Sequence, residues 1–467
     1  MDSVRYAICA LSVAALCSGC GGSGTSAPDV PNRPSLTVSA GDFQTGSIGQ
    51  VLPELIVVTL LASSGAPIAN ADLSFDPLSG PSENIQTGAD GTASYDWRLG
   101  DAYDQQLVVT YTPTPTQTIS TLANAIALYE YQAPASDAEW PAAHADSLAV
   151  ATNPLTSMIN AIRRGDFPKV HTVLLARDGQ LVLEEQFPLV GETSYTKSDD
   201  VLHYVASASK SITSVLVGIA VDQGLIGSLN DSLYSYFPQY SSFDNWTPEK
   251  DDLTIRDALL MRSGLGCADD GSWEGTQDFV KTTLDLPLIR TPGTTWKYCT
   301  MLTHVLGSVV ANVSGMNLAD YSQTFLWDPL GIDTLGWTYS PVGRAVTGYG
   351  FWMRPRDMLK FGQLVLNRGS WNGAQVVSEA WAEESAYSAA TDTGLGHDLY
   401  AYQWWVLRVN HGGTTHLVPY AAGDGGQMIF VLAEHGVTAV FTGGNYGTDL
   451  TAQPIDLLLD YVLPALN

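Results

Sequence analysis

Two segments of the chain place a serine three residues before a lysine, a spacing at which the two side chains can react. Residues three apart share one face of a helix, so the lysine amine can reach the serine hydroxyl. A lysine that burial keeps neutral is a competent base and can activate that hydroxyl as a nucleophile. The two segments are Ser194-Tyr195-Thr196-Lys197 and Ser207-Ala208-Ser209-Lys210.

The residues that follow distinguish these two segments. Polar residues surround Ser194 without a helical pattern after it, which predicts a turn. After Ser207 the sequence predicts a strand-to-helix unit, with a strand-like entry at 201–205 and a helix that ends at Gly224. Apolar residues recur there at helical spacing, namely Ile212, Val215, Leu216 and Ile219. The alternative is that Ser207 caps a helix whose lysine is solvated, but the apolar helix favours a catalytic serine.

A tyrosine that precedes an apolar helix is a second candidate for proton transfer. Tyr298 follows Pro292-Gly293, and the helix is predicted from His304 to Val313. Such a tyrosine is useful in acid–base chemistry if a nearby cation such as Lys210 lowers its pKa, and otherwise it is a core aromatic residue. His304 is also a candidate to face the site.

A glycine-rich stretch near the C-terminus leads into an apolar strand. It reads Gly423-Asp424-Gly425-Gly426-Gln427 within the segment 420–431. Glycines at this position indicate either a close approach of the backbone to a ligand or a tight turn.

The net charge and the absence of certain motifs argue against several other functions. The net charge of −27 over 467 residues argues against nucleic-acid binding, which needs clustered Lys and Arg. Neither a Gly-x-Ser-x-Gly elbow, nor a His-Glu-x-x-His helix, nor a Walker loop occurs in the sequence, and the eight histidines do not have metal-ligand spacing. We therefore expect neither a metal nor an organic cofactor.

The first 20 residues have the features of a bacterial lipoprotein signal peptide. Arg5 precedes a short apolar run, and the segment 16–22 resembles a lipoprotein processing box with Cys20 as the lipidated residue. The alternative is ordinary signal cleavage after a small residue. Residues 21–34 are rich in Gly, Ser and Pro and predict a flexible tether. The expectation is an exported lipoprotein, anchored in the outer membrane and facing the periplasm or the cell surface.

Two folded regions are predicted beyond the tether. Residues 35–130 contain short apolar strands such as 51–58 between turn signals, which predicts an all-β sandwich. It resembles bacterial Ig-like modules and would act as a spacer or a binding module. In residues 137–467, strands such as 170–176 and 437–444 alternate with amphipathic helices, which predicts an α/β (α+β) domain with a central sheet.

Only two cysteines belong to the predicted folded regions, Cys267 and Cys299. In an exported protein they could form a disulfide, and the alternative is that both are small buried apolar residues.

The order of these motifs resembles the serine β-lactamase and penicillin-binding family, in its class C-like branch of 6-aminohexanoate-dimer hydrolases and esterases. The resemblance runs from about Phe167 to Val462 and rests on 206–219, 292–307, 348–369, 402–405 and 423–431. It implies a central antiparallel sheet flanked by helices, with an all-helical subregion.

The resemblance also implies roles for individual residues. Ser207 would be the acylated nucleophile, Lys210 its base and Tyr298 the residue that passes a proton to the leaving group. The backbone amides of Ser207 and Asp424 would form the oxyanion hole. Substrate contacts would come from Thr300, Gly423 and Gly425.

Two departures from the family pattern narrow the expected substrate. Thr300 stands where the family usually has Asn or Ser, and Ala421 stands where penicillin-recognising members keep a cation for the substrate carboxylate. The sequence therefore predicts a serine hydrolase that cleaves a carboxylic ester or linear amide. The alternatives are a β-lactam-reactive enzyme or D,D-peptidase, and a non-catalytic, surface-anchored binding protein.

Overall fold

A computed structural model describes residues 33–114, 117–187, 201–388, 390–394, 398–411 and 414–466. Cys20, the rest of the predicted signal peptide and the Ser194–Lys197 segment lie outside these ranges. The described chain forms two compact units. One comprises the residues up to Gln44 with Val51–Leu99 and Gln105–Ala125, and the other comprises Thr45–Gln50, Gly100–Asp104 and the chain from Ile126 onwards.

The N-terminal region is rich in β-structure. Its strands are β1 Ser35–Ala40, β2 Gln44–Ser47, β3 Ile56–Leu61, β4 Asp72–Pro77, β5 Glu83–Gln86, β6 Thr92–Tyr95, β7 Asp104–Thr114 and β8 Gln117–Leu128. They form one sheet in the order β1-β3-β6 and another in the order β2-β8-β7-β4-β5. Alternate residues are buried, as in β3, where Ile56, Val58 and Leu60 face inward. The Ig-like assignment stays a prediction.

One strand boundary in this region was predicted wrongly. The apolar run 51–58 does not form a single strand, because β3 begins only at Ile56. Pro53 lies inside the run, and a proline has no N–H to donate to a strand ladder.

The second unit is built on an antiparallel sheet, to which the described residues contribute the eight strands β9 Val170–Arg177, β10 Gln180–Gln186, β16 Thr391–Asp392, β17 Asp398–Tyr400, β18 Trp405–His411, β19 Thr414–Gly423, β20 Gln427–Leu432 and β21 Val437–Gly443. Their order in the sheet is β10-β9-β21-β20-β19-β18-β17-β16. Short strands elsewhere are β11 His203–Tyr204, β12 Gly336–Trp337, β13 Phe351–Met353, β14 Ser370–Trp371 and β15 Ala374–Gln375. The predicted strands at 170–176 and 437–444 are thus neighbours in the central sheet.

Helices cover both faces of this sheet. They are α1 Thr152–Arg164, α2 Ser209–Asp222, α3 Ile255–Leu259, α4 Phe279–Asp285, α5 Thr300–Ser314, α6 Leu318–Ser322, α7 Asp328–Leu330, α8 Pro355–Leu366, α9 Glu379–Glu383, α10 Gln453–Leu457 and α11 Leu463–Ala465. In β20, Ile429 and Val431 join the core that contains α2, α5 and α8, whereas Met428 and Phe430 join the core beside α1 and the C-terminal helices. This alternation confirms the predicted central sheet with helical flanks.

The consecutive helices α3 to α7 occupy the chain between α2 and β12 and supply the helical subregion. Within the described ranges, no helix combines the length and apolarity that crossing a membrane requires.

Candidate active site

Ser207 lies on a sharp turn between β11 and α2. A short 3₁₀ turn spans Ala206–Ala208, and Ala206 has a φ of 47°, a left-handed conformation that is costly for a residue with a side chain. The Ser209 hydroxyl donates to the Ala206 carbonyl at 2.9 Å and helps to hold this turn. Ala206 and Ala208 are buried while Ser207 remains partly exposed. The turn therefore presents one hydroxyl to solvent at the start of a buried helix.

Lys210 is the partner of this hydroxyl. Its side chain is 2 % exposed, and its Nζ lies 2.8 Å from Ser207 Oγ and 2.6 Å from the carbonyl oxygen of Gly348. Burial lowers the pKa of Lys210 to about 7, although the carboxylate of Asp269 acts in the opposite direction. A large fraction of Lys210 is therefore neutral near pH 7 and can accept the Ser207 proton.

Tyr298 completes a cluster of three groups. It lies two residues before α5, at the end of a loop as predicted, and its ring centroid is 4.9 Å from Lys210 Nζ. Burial raises the pKa of Tyr298 above its usual value, and the hydrogen bond with the Ser207 side chain opposes this shift only in part. The condition that a nearby cation such as Lys210 lowers this pKa is therefore not met, because burial raises the pKa instead. Tyr298 is a neutral phenol at neutral pH and can donate a proton.

Gly423 brings the end of β19 against the Ser207 turn. A Cβ atom at this position would lie 2.0 Å from the carbonyl oxygen of Val205 and 3.2 Å from the amide nitrogen of Ala208, so only glycine fits. The next residue, Asp424, accepts hydrogen bonds from the Gly447 amide at 2.9 and 3.0 Å, which fixes the loop. The predicted oxyanion-hole amides of Ser207 and Asp424 thus belong to two backbone segments in direct contact.

The predicted substrate-contact residues have internal partners in this structure. Thr300 is buried, and its amide and hydroxyl both donate to Asp269 at 3.1 Å. Gly425 is buried; its N–H donates to Asp424 and its carbonyl accepts from the Asn445 amide. Their contacts with substrate stay predictions.

Asp269 was missed by the sequence analysis. It lies in the loop 264–277, where its carboxylate accepts hydrogen bonds from Thr300 at the N-terminus of α5. The same carboxylate partly offsets the lowering of the Lys210 pKa that burial causes. Cys267 and Cys299 form a disulfide in this structure, which ties the Asp269 loop to the start of α5. The one available signal was that Asp269 lies two residues from Cys267, just as Tyr298 adjoins Cys299.

Aromatic rings pack around Tyr298 and form one wall of the site. The Trp405 ring stacks on Tyr298 at a centroid distance of 5.8 Å, and Trp296 and Tyr400 lie 6.4 and 6.3 Å away. Ala421 is fully buried in β19 and adds no charge. The described residues contain no group of three or more His, Cys, Asp or Glu side chains placed to hold a metal ion.

The beta-lactamase family model matches residues 165–458, well over half of the chain. The 6-aminohexanoate-dimer hydrolase of Paenarthrobacter ureafaciens is 27% identical over 44% of this chain and 57% of its own length. A lovastatin esterase of Penicillium rubens is 30% identical over 32% of this chain and 42% of its own length. The chain thus spans about half the length of these curated relatives.

Solved structures share the fold of the second unit. A family VIII carboxylesterase matches with a TM-score of 0.54 at 16% identity, covering 68% of this chain and 98% of the other. At this level of identity the likeness shows the fold alone.

Proposed function

The chain belongs to the beta-lactamase family, and we propose that it is a serine hydrolase that cleaves a carboxylic ester or linear amide through an acyl-enzyme on Ser207. The observation that carries this proposal is the buried amine of Lys210, 2.8 Å from a partly exposed serine hydroxyl. Burial favours the neutral form of this amine, and only that form can act as a base.

Acylation follows from this geometry. Neutral Lys210 takes the Ser207 proton as Oγ attacks the substrate carbonyl and forms a tetrahedral intermediate. The amides of Ser207 and Asp424 would donate to its oxyanion, and each such donor is typically worth about 2.7–4 kcal/mol. Tyr298 gives its proton to the leaving alcohol or amine and recovers one from the Lys210 ammonium.

Deacylation reverses these proton transfers. Water replaces the leaving group and attacks the acyl carbonyl, while the Lys210–Tyr298 pair accepts its proton. Ser207 Oγ leaves with a proton returned from the same pair, and the free acid is released. No other reactant is needed.

The position of Ala421 supports an ester or simple amide over a penicillin-like substrate. A substrate carboxylate is normally bound by a cation, and this position offers only a buried methyl group. Two curated relatives are named as a dimer hydrolase and an esterase, which supports the same choice.

The central test compares Ser207→Ala with Ser214→Ala on p-nitrophenyl esters and linear p-nitroanilides. Ser214 is a matched control because it lies two turns further along α2, and its buried hydroxyl has no hydrogen-bond partner among the described residues. We expect Ser207→Ala to abolish turnover with an unchanged melting temperature, and Ser214→Ala to retain it. Full activity in Ser207→Ala would refute the proposal.

Two probes distinguish the alternatives. A fluorophosphonate should label Ser207 in the wild type, and failure to label, together with no turnover, would favour a non-catalytic binding protein. A fluorescent penicillin should label weakly or not at all. Strong labelling at Ser207 would instead favour the β-lactam-reactive enzyme or D,D-peptidase.

We also propose that the protein is exported and lipidated at Cys20. The disulfide between Cys267 and Cys299 supports export, because such bonds persist in oxidising compartments. In cells, the full chain should partition into the detergent phase, and Cys20→Ala should move it to the aqueous phase. Equal partitioning of both would contradict lipidation.

For the N-terminal region we propose an Ig-like sandwich that acts as a spacer or binding module. The two antiparallel sheets support this, as does the stacking of Phe75 in one sheet on Tyr95 in the other at 5.3 Å. An experimental structure of residues 35–130 tests it: two facing sheets are expected, and any other arrangement would contradict it.

A further inference from the structure

His304 is a buried histidine on α5 that does not contact the Ser207 hydroxyl, and its bonding has a specific pattern. Its Nδ1 accepts hydrogen bonds from the amides of both Thr347 and Gly348, each at 3.1 Å. Because both neighbours are donors, Nδ1 carries no proton and the ring proton lies on Nε2. The aromatic rings of Trp273 and Tyr349 pack against the imidazole at 5.3 and 5.6 Å.

The segment that His304 holds leads directly to the proposed base. The carbonyl oxygen of Gly348 is 2.6 Å from Lys210 Nζ, although the two residues are 138 positions apart in the chain. Side-chain hydroxyls fix the preceding residue as well, since Thr347 donates to the Thr303 carbonyl at 2.7 Å and its own carbonyl accepts from Thr213 at 3.2 Å. The Gly348 carbonyl is therefore an oriented acceptor.

Lys210 needs such an acceptor in order to act as a base. A neutral amine has two N–H groups and one lone pair, and only the lone pair can take the Ser207 proton. When an N–H is fixed on the Gly348 carbonyl, rotation of the amine is restricted and the lone pair can face Ser207 Oγ at 2.8 Å.

We propose that His304 is a positioning residue, whose Nδ1 holds the Thr347–Gly348 peptides so that the Gly348 carbonyl orients the Lys210 amine toward Ser207. This inference rests on the proposed function of Ser207 and Lys210. His304 itself stays neutral throughout the working range, because burial lowers its pKa to about 3 and the charge of Lys210 acts in the same direction. The other groups that face Lys210 are Tyr298 and the Asp269 carboxylate.

The test measures kcat and KM for a p-nitrophenyl ester from pH 5.5 to 9.5 in the full-length wild type, two His304 variants and one packing control. His304→Leu removes the acceptor, and we expect kcat to fall about 100-fold, the typical effect of misplacing a reacting group by about 1 Å. KM should change less than about twofold, because the substrate is not touched. The acidic limb of the plot of kcat against pH should move to lower pH, because the Lys210 ammonium loses a hydrogen-bond acceptor and the pKa of Lys210 falls.

The second variant is His304→Asn, whose side-chain oxygen can occupy the place of Nδ1. This variant should keep most of the wild-type kcat, and the acidic limb of its pH profile should lie where the wild-type limb lies. Should His304→Leu fail to fold, His304→Gln replaces it; its longer side chain places the acceptor beyond the Nδ1 position, so the same loss is expected. Phe279→Leu is the packing control, since that ring lies 5.9 Å from His304 but makes no bond to the peptides. This control should lower the melting temperature without moving the acidic limb of the pH profile of kcat.

Two outcomes would overturn the inference while the wild type is active. One is a kcat for the loss variant within twofold of the wild type. The other is a loss of kcat in both His304→Asn and Phe279→Leu that is as large as in the loss variant, which would show a packing effect alone. An inactive wild type that no fluorophosphonate labels would refute the proposed function itself, so the two failures are distinguishable.

Discussion

Replacing Lys210 with methionine is expected to stabilise the fold at acid and neutral pH while it abolishes activity. Methionine has a similar length and no charge, so the change removes the base with little change in packing. The side chain is 2 % exposed, and burial moves its pKa from 10.5 to about 7. The folded protein therefore opposes the protonated form of Lys210, whereas the unfolded chain does not.

The magnitude follows from this pKa. Below pH 7 the lysine is protonated in both states, and the folded state carries the full cost of about 5 kcal/mol, because one pKa unit is worth about 1.4 kcal/mol. Between pH 7 and 10.5 only the unfolded state binds the proton, so the cost declines as pH rises. It is about 2 kcal/mol at pH 9 and is absent above 10.5. Methionine leaves the Gly348 carbonyl without its partner, a loss of about 1–3 kcal/mol at every pH. The net gain is then about 2–4 kcal/mol at pH 6 and close to zero at pH 9.

Urea unfolding of wild type and Lys210→Met at pH 6, 7.5 and 9 measures this difference, with p-nitrophenyl ester turnover at each pH. Lys360→Met is the matched control. That lysine is also buried, but it lies 2.8 Å from Glu139 and 3.5 Å from Asp357, so methionine breaks ion pairs and should destabilise the fold by about 3–5 kcal/mol.

A difference between Lys210→Met and wild type that stays constant from pH 6 to 9 would refute the reasoning. So would a variant less stable than the wild type at pH 6. Either result would mean that Lys210 is protonated in the folded state at the pH where the site works.

Three further predictions concern the rest of the site. Because the proposed base has a pKa of about 7, kcat/KM for an ester should fall about tenfold per pH unit below pH 7, and a profile that stays flat to pH 5 would contradict this. Replacing both cysteines of the Cys267–Cys299 disulfide with serine should lower the free energy of unfolding in urea by about 3–4 kcal/mol, as expected for a loop with a sequence separation of 32. A loss smaller than about 1 kcal/mol would show that other contacts hold the loop. Gly423→Ala should lower kcat/KM at least about 100-fold, because its Cβ would lie 2.0 Å from the Val205 carbonyl oxygen. The control Gly275→Ala should behave as wild type in the same assay, because a Cβ there meets nothing within 4 Å.

Local sequence determined where the candidate nucleophile lies. The helical spacing after Ser207 predicted α2, and the Ser207–Lys210 offset predicted that the two side chains meet, although Ser207 lies on the 3₁₀ turn that precedes α2. The strands at 170–176 and 437–444 were predicted from their apolar runs in the same way. Such features are encoded in short windows, because backbone hydrogen bonding and side-chain periodicity repeat within a few residues.

Only the tertiary structure decided the chemical character of these groups. The neutral form of Lys210 depends on its burial, and the orientation of its amine depends on the Gly348 carbonyl, which comes from 138 residues away. Burial raises the pKa of Tyr298, a shift that the sequence did not indicate, and Asp269 enters the site through a loop whose path the sequence does not reveal. A pKa is set by all the atoms that exclude water from a group and by the charges around it, and those atoms come from distant segments. The sequence therefore determined which residues could react, and the fold decided which of them carry a proton.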